Sequence, residues 1–353
     1  MRTDTATIAE LGQFDACLDV RSPAEFAEDR IPGAVNLPVL DDAERARVGT
    51  IYKQASPFLA RKLGAALVAR NIAGHLEEEL LGHDRHWRPL VYCWRGGKRS
   101  GAMTIVLREI GWDAHQLAGG YKSFRTHVIA QLDLLPVRLD LRVICGLTGC
   151  GKSRLVAALA AQGGQVLDLE TIAAHRGSVL GGLPFDRQPT QRMFETRLWE
   201  ALRDLDPRRP VYVEAESRKI GVLRVPESIM AHMWSSPCVR LESDRATRVA
   251  LLMSEYAHFL TDRALLAGRL ATLSVLYGRR RIADWLQLIE DGRFEELVAD
   301  LLERHYDPAY TRSIAQRFPD LGSAALFTVP IGGSAAAYAA IASQLLALEQ
   351  VPA

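Results

Sequence analysis

The chain has 353 residues, of which 48% are hydrophobic and 24% charged, and 43 basic side chains against 42 acidic ones give a net charge of +1. At roughly 100 to 200 residues per domain this length predicts two domains, and the composition excludes a long disordered tail, a low-complexity protein and a chain-wide polycation. No run reaches the ~18 consecutive apolar residues of a membrane span, and the start lacks a basic-then-apolar secretory layout, so a cytoplasmic protein without a membrane partner is expected.

In chain order, short apolar strands alternate with helical stretches: ACLDV (16–20), a helix near Pro23 to Asp29, GAVNLP (33–38), PLVYC (89–93), and a helix over 100–110 ended by Gly111. This order implies a parallel sheet covered by helices. In the 100–110 helix, Met103, Ile105, Val106, Leu107 and Ile110 predict a broad buried face. Leu134-Leu135-Pro136 breaks the pattern, because proline disfavours helix for its predecessor, and the domain boundary is placed there. A second βαβ series follows: LRVIC (141–145), a glycine-rich turn, a helix from about Lys152 to Gly163-Gly164, VLDL (166–169), a helix through Phe194, Leu198 and Leu202, VYVE (211–214) and CVRLE (238–242). That series predicts a second doubly wound sheet. Beyond Asp244 the chain reads as mostly helical up to a last strand in AALFTVP (324–330) and an Ala-rich closing helix.

The five cysteines, Cys17, Cys93, Cys145, Cys150 and Cys238, form no CxxC pair and are odd in number, which argues against a disulfide framework or a structural zinc site. Cys93 is different from the rest. It ends a strand and opens Cys93-Trp94-Arg95-Gly96-Gly97-Lys98-Arg99-Ser100 ahead of a helix. Such a loop turns backbone N–H groups inward at a helix N-terminus, and Gly96 and Gly97 allow the tight curve. With Arg95, Lys98 and Arg99 nearby, the thiol should ionise more readily than usual and act as a nucleophile or chalcogen carrier. Cys17, Cys145 and Cys238 read as core, and Cys150 as a small filler.

LDVRSPAEFAEDRIPGAVNLP (18–38), the cysteine loop and LAGGYKSFR (117–125) together resemble rhodanese domains over most of residues 5–130. Arg30 stands where such domains usually have histidine, and the Cys-x5-Arg spacing is one residue longer than in common sulfur carriers, matching instead the related phosphatases. The transferred group therefore stays open between a phosphate-sized and a selenium-bearing anion.

Gly146-Leu-Thr-Gly149-Cys-Gly151-Lys152-Ser153 satisfies GxxxxGK[ST] between a strand and a helix, the placement that phosphate binding requires. Its N–H groups can surround a di- or triphosphate, Lys152 can neutralise the distal phosphate, and Ser153 can hold Mg²⁺. Glu214, at the end of a strand, and Glu216 are the candidate acids for that metal. No base-specificity tetrapeptide of the GTPase type follows, so the bound group is a nucleotide or another diphosphate.

DLETIAAHRGSVLG (168–181), QPTQRMFETRL (188–198) and VEAESRKIG (213–221), added to the rhodanese match, are similar to the bacterial tRNA 2-selenouridine synthases over at least residues 5–230. The fold class expected is α/β: a rhodanese-like parallel-sheet domain (1–135), then a P-loop α/β domain with a mostly helical C-terminal part (136–353). The resemblance implies a transferase that acts on the wobble 2-thiouridine in the anticodon loop of tRNA. It would geranylate the sulfur with geranyl diphosphate and exchange sulfur for selenium from selenophosphate, with Cys93 matching the catalytic cysteine. Transient contact with a selenophosphate-producing enzyme is a further implied partnership. A Cys-x5-Arg phosphatase and a nucleotide-gated binding module are the competing classes.

Residues 217–281 hold eleven basic and five acidic residues, whereas 282–353 hold four and ten. A chain of near-zero net charge reaches RNA by concentrating its cations. Arg279, Arg280 and Arg281, followed by His175 and Arg176, are accordingly the candidate tRNA contacts.

Overall fold

A computed structural model describes residues 4–178, 180–182 and 187–348. Val179, within the 168–181 motif, lies outside the described residues. Two compact units divide the chain: residues 1–131 with 189–200, and 132–188 with 201–353. A single cut after 135 would leave 189–200 in the second domain, whereas these residues pack in the first unit. There Thr196 Oγ1 donates to Asp29 Oδ2 at 3.0 Å, Arg125 pairs with Glu195, and the rings of Phe124 and Trp199 meet edge-on at 5.5 Å. No described helix is long and apolar enough to cross a membrane.

The first unit holds an all-parallel sheet of β1 (Thr5–Ala6), β2 (Ala16–Asp19), β3 (Val35–Asn36), β4 (Pro89–Tyr92) and β5 (His115–Leu117), in the order β1-β5-β4-β2-β3. Every residue of β4 is buried, as a strand covered on both faces requires, and Pro89 takes the first position. The helix Lys98–Ile110 begins two residues before the expected 100 and ends at Gly111, whose φ of 110° provides a left-handed cap. The broad apolar face expected for this helix is narrower. Met103 and Leu107, one turn apart, are buried, but Ile105 and Ile110 are 63% and 51% exposed. Two positions along a helix turn a side chain by about 200°, so Ile105 cannot share the face of Met103. Leu18, Val91, Trp87, Met103 and Leu107 form the core between sheet and helices.

The second unit carries a parallel sheet of β6 (Asp140–Cys145), β7 (Gln165–Leu167), β8 (Pro210–Glu214), β11 (Cys238–Glu242) and β12 (Ala325–Thr328), ordered β12-β11-β6-β8-β7. Between β8 and β11 the short strands β9 (Lys219–Ile220) and β10 (Leu223–Arg224) form an antiparallel pair. The two parallel sheets bear out the α/β expectation. Because β6 lies between β8 and β11, its neighbours are reached by connections running in opposite directions, and a crevice opens at the carboxyl end of β6. The phosphate loop leaves the sheet there. The closing helix Ala335–Leu348 joins the core beneath it through Tyr338, Ile341 and Leu345. Downstream of β11, helices between residues 257 and 306 gather around Trp285 in a second, all-helical core.

Candidate functional site

The cysteine loop is set by the sheet edge behind it. Tyr121 N–H donates to Cys93 O at 2.8 Å and Lys122 N–H to Trp94 O at 3.0 Å, pinning the loop against the LAGGYKSFR turn. Gly120 has φ of +60°, and a Cβ there would stand 2.2 Å from Cys93 O, so this approach requires glycine. Deeper still, the Arg21 guanidinium binds Asp19 Oδ2 at 2.6 Å and the Asp29 carbonyl at 2.7 Å and lies 4.1 Å from the centre of the Tyr121 ring. Both members of the Asp19–Arg21 pair are fully buried, and removing one from such a pair costs about 3–5 kcal/mol, so their role is to hold the platform.

Cys93 itself is only 3% exposed. Its Sγ accepts the Gly97 N–H at 3.2 Å and the Ser100 hydroxyl at 3.1 Å. Gln116 Nε2 supports them by donating to Ser100 Oγ at 2.7 Å and to Gly97 O at 3.0 Å. Burial alone would push the thiol up; the Ser100 hydroxyl and N–H, the Gly97 N–H and the Arg99 charge outweigh it and hold the thiol below its ordinary range. Arg99 is oriented by Glu25, whose Oε2 lies 2.6 Å from Nη1, while Arg95 and Lys98 are exposed. An acidified thiol, inward N–H groups and one fixed guanidinium make a site suited to a tetrahedral oxyanion with the sulfur beside its central atom.

In the second unit Gly149 and Gly151 adopt φ of +81° and +83°, and a Cβ on Gly151 would lie 2.0 Å from the Tyr338 hydroxyl, which donates to Cys150 O at 3.1 Å. This seats the loop on the closing helix and aims the helix Lys152–Ala161 at the crevice. Gly146 N–H donates to the Tyr310 hydroxyl at 2.9 Å, and Lys152 Nζ donates to Gly146 O at 2.9 Å, so the lysine rests on its own loop. Burial opposes the Lys152 ammonium, yet the facing Tyr310, Cys150, Glu214 and Glu216 groups raise it above the usual lysine value.

Glu214 and Glu216 come together as their spacing suggested, and Glu170 joins them: one carboxylate oxygen from each lies within 4.8 Å of the others. Ser153 Oγ donates to Glu170 Oε2 at 2.9 Å, which ties the phosphate loop to this cluster. Glu214 is 4% exposed, and its Oε1 has no hydrogen-bond partner among the described residues. Burial first, then the charge of Glu216, push the Glu170 carboxyl up to about 7, and burial raises Glu214 and Glu216 as well. An unsatisfied buried carboxylate oxygen amid like charges fits a divalent cation. The folded chain holds protons here that the unfolded chain releases above about pH 4.5, so the cluster weakens the fold as pH rises toward 7. In chelator, Glu170→Gln should therefore gain melting temperature over the parent at about pH 8 and not at about pH 4. A difference that does not grow with pH would show that Glu170 is not raised.

Residues 139–276 match the tRNA 2-selenouridine synthase AAA domain and residues 5–127 the rhodanese-like domain. The tRNA 2-selenouridine synthase of Nitrosomonas eutropha is 39% identical, over 85% of this chain and 88% of its own length; that of Nitrosomonas europaea is 34% identical, over 85% and 89%. The tRNA 2-selenouridine synthase of Cupriavidus necator is 34% identical over 90% of this chain and 93% of its own. The chain belongs to the tRNA 2-selenouridine synthase family.

In this member of the tRNA 2-selenouridine synthase family, the structure does not bring all the expected site residues together. Arg279 and Arg280 are exposed and follow a kink at Gly278, whereas Arg281 faces Asp284 at 3.8 Å and Asp300 at 3.9 Å. His175 is 9% exposed and lies behind Gly221, so it does not offer a surface contact to RNA. Arg176 lines the cavity that also contains Lys152, Ser153, Glu170, Glu214 and Glu216, its guanidinium 5.2 Å from the centre of the Tyr256 ring. The two oppositely charged stretches partly neutralise each other through Arg245–Glu303, Arg248–Asp307 and Arg281–Asp300. Sequence reasoning passed over Glu170, although it stands in the 168–181 motif beside Asp168, which caps the helix Leu169–Ala173 by accepting from Thr171 N. It also passed over buried Arg248, whose Nε donates to Thr148 O at 2.8 Å, and Tyr310.

Proposed function

We propose that this protein modifies the wobble uridine of tRNA in two steps, geranylation of 2-thiouridine and then replacement of its sulfur by selenium to give 2-selenouridine. The observation that carries this reading is that one chain of this family joins an acidified buried thiol in an anion loop to a phosphate loop faced by three carboxylates. Sulfur at C2 leaves poorly as it stands. In the first step it attacks C1 of geranyl diphosphate, the C–O bond breaks, diphosphate departs with the electron pair, and the N3 proton goes to water. Lys152 and the loop N–H groups hold the diphosphate as its charge develops. Glu170, Glu214, Glu216 and the Ser153 hydroxyl would hold Mg²⁺, which supplies charge neutralisation for that leaving group.

For the second step, electron balance selects between the two roles open to Cys93. Carrying selenium as a perselenide would require a two-electron oxidant, because selenophosphate holds selenium in its reduced state. Attack by the Cys93 thiolate on phosphorus needs none: the P–Se bond breaks, hydroselenide leaves, and water later frees phosphate from the cysteine. The Cys-x5-Arg length and the tetrahedral-oxyanion geometry of the loop favour this nucleophilic role. Hydroselenide then adds to C2 of the geranylated base and expels geranylthiolate. Selenophosphate and geranyl diphosphate are thus co-substrates, and a fleeting contact with the enzyme that makes selenophosphate would shorten the path of a labile donor in the cytoplasm.

Mass spectrometry of tRNA nucleosides after incubation with geranyl diphosphate and selenophosphate, separately and together, tests the whole sequence. Geranylthiouridine should form with the first alone and selenouridine only with both; selenouridine formed without geranyl diphosphate would refute the activation step. For the RNA surface, replacing Arg279, Arg280 and Arg281 together by glutamine should weaken tRNA binding and flatten its salt dependence, with geranyl diphosphate binding unchanged. Equal affinities for parent and variant at two salt concentrations would move the RNA site elsewhere.

A further inference from the structure

The phosphate loop borders two further cavities, both largely apolar, that differ in the charged groups they present. One lies against Gly146 and Leu147 and is walled in part by Arg240, Glu242, Asp244 and Arg248, charged groups that would be stripped of water by a hydrocarbon. The other begins at Thr148 and runs among the helices Arg245–Glu255, Ala257–Thr261, Arg263–Ala271 and Phe294–Leu301. Its walls are Leu180, Met253, Phe259, Leu266, Leu297 and Val298. The polar groups around it are few: the Thr148 and Ser178 side chains and the hydroxyls of Tyr256 and Tyr306. Those four residues and Leu252 also line the cavity that contains Lys152, Ser153 and the three glutamates. Cation cradle and apolar slot therefore share a rim.

We infer that this apolar slot holds the hydrocarbon tail of the prenyl diphosphate whose diphosphate sits in the phosphate loop, an assignment that rests on the proposed geranyl transfer and adds the seat of its donor. The distribution of polarity decides between occupants. A nucleoside attached to the same phosphates would bring a ribose and a base that need hydrogen-bond partners, and the inner walls of the slot have none to give. An unbranched or methyl-branched chain needs only apolar surface. The slot is narrow, about 60 Å³ in this structure, and Leu266, Phe259 and Val298 close around it from three different helices, so a ten-carbon tail enters by parting these side chains. Arg176, over the ring of Tyr256 at the shared rim, stands where the diphosphate joins the tail.

Binding to the full-length protein can be read by competition, with inorganic diphosphate, dimethylallyl diphosphate and geranyl diphosphate as probes. Burying a methylene improves affinity roughly fourfold, so geranyl diphosphate should bind at least about tenfold more tightly than the dimethylallyl compound and more tightly again than inorganic diphosphate. Val298→Trp should fill the slot and weaken geranyl diphosphate by at least about tenfold while leaving inorganic diphosphate unchanged. Should that variant lose inorganic diphosphate as well, a diazirine-bearing prenyl diphosphate on the parent protein gives the answer: label within residues 252–266 or 294–306 supports the slot, and label elsewhere overturns it. Geranyl diphosphate affinity unaltered in a Val298→Trp protein that binds inorganic diphosphate normally also overturns it. A parent protein with no preference for geranyl over inorganic diphosphate is a different failure, because it removes the geranyl-transfer reading on which the slot depends.

Discussion

Cys93→Ala is expected to lower selenium incorporation into tRNA by roughly a thousandfold or more, the scale on which loss of a catalytic nucleophile acts, and to leave geranylation near the parent rate. The separation follows from where the thiol sits. Its backbone carbonyl accepts the Tyr121 N–H, and the loop is further held through Trp94 O, Gly120 and the Arg99–Glu25 pair, none of which uses Sγ. Alanine removes the nucleophile and keeps the cradle. If Cys93 attacks phosphorus, its only product needed downstream is hydroselenide, so hydroselenide supplied directly should restore selenouridine formation by Cys93→Ala on pre-geranylated tRNA. Parent-level incorporation from selenophosphate by the variant would remove Cys93 from the chemistry, and failure of hydroselenide to rescue would place its role after release of selenium. A trapped phosphoryl group on Cys93, seen by peptide mass spectrometry after rapid quenching, is the positive counterpart.

What could be read from the sequence follows the range of the forces involved. Strands such as β4 and β6 are legible because a sheet covered on both faces demands continuous apolar runs. The two loops are legible because glycine and cation spacing is local. Burial along the helix Lys98–Ile110 is less so: all its apolar residues look alike in composition, and only the 3.6-residue turn sorts Met103 from Ile105. The third carboxylate was hidden for another reason. Glu170 lies 44 residues before Glu214, and only the parallel pairing of β7 with β8 places them in one cavity. Arg248 and Asp307, 59 residues apart, carry no local signal at all. Charge was the least reliable guide. The basic stretch 217–281 looked like a free RNA surface, but the acidic stretch after it supplies partners for Arg245, Arg248 and Arg281, leaving Arg279 and Arg280 as the exposed pair of the arginine triplet.

Lys152→Ala should abolish most geranyl transfer and weaken diphosphate binding by roughly 10- to 150-fold, the equivalent of a lost charge-assisted contact of about 1.5–3 kcal/mol. Two effects add at this position. The diphosphate loses the ammonium that now rests on Gly146 O, and the carboxylates lose the cation that favours their ionisation, since Lys152 acts to lower Glu170, Glu214 and Glu216. Residual activity of the variant should therefore require a higher pH than that of the parent, because the cluster must shed its protons before a divalent cation can bind. Geranyl transfer measured in nucleotide-free buffer from about pH 6 to about pH 9 separates this account from an ATPase with the same loop: an absolute requirement for ATP in the parent protein would rule out the loop as the direct seat of the prenyl diphosphate. A variant profile that falls in height without moving along the pH axis would keep the lysine as a phosphate ligand and deny its coupling to the glutamates. Both limbs depend on one arrangement, a buried ammonium placed between a phosphate loop and three crowded carboxylates, and the pH shift is the readout that a merely loosened loop would not produce.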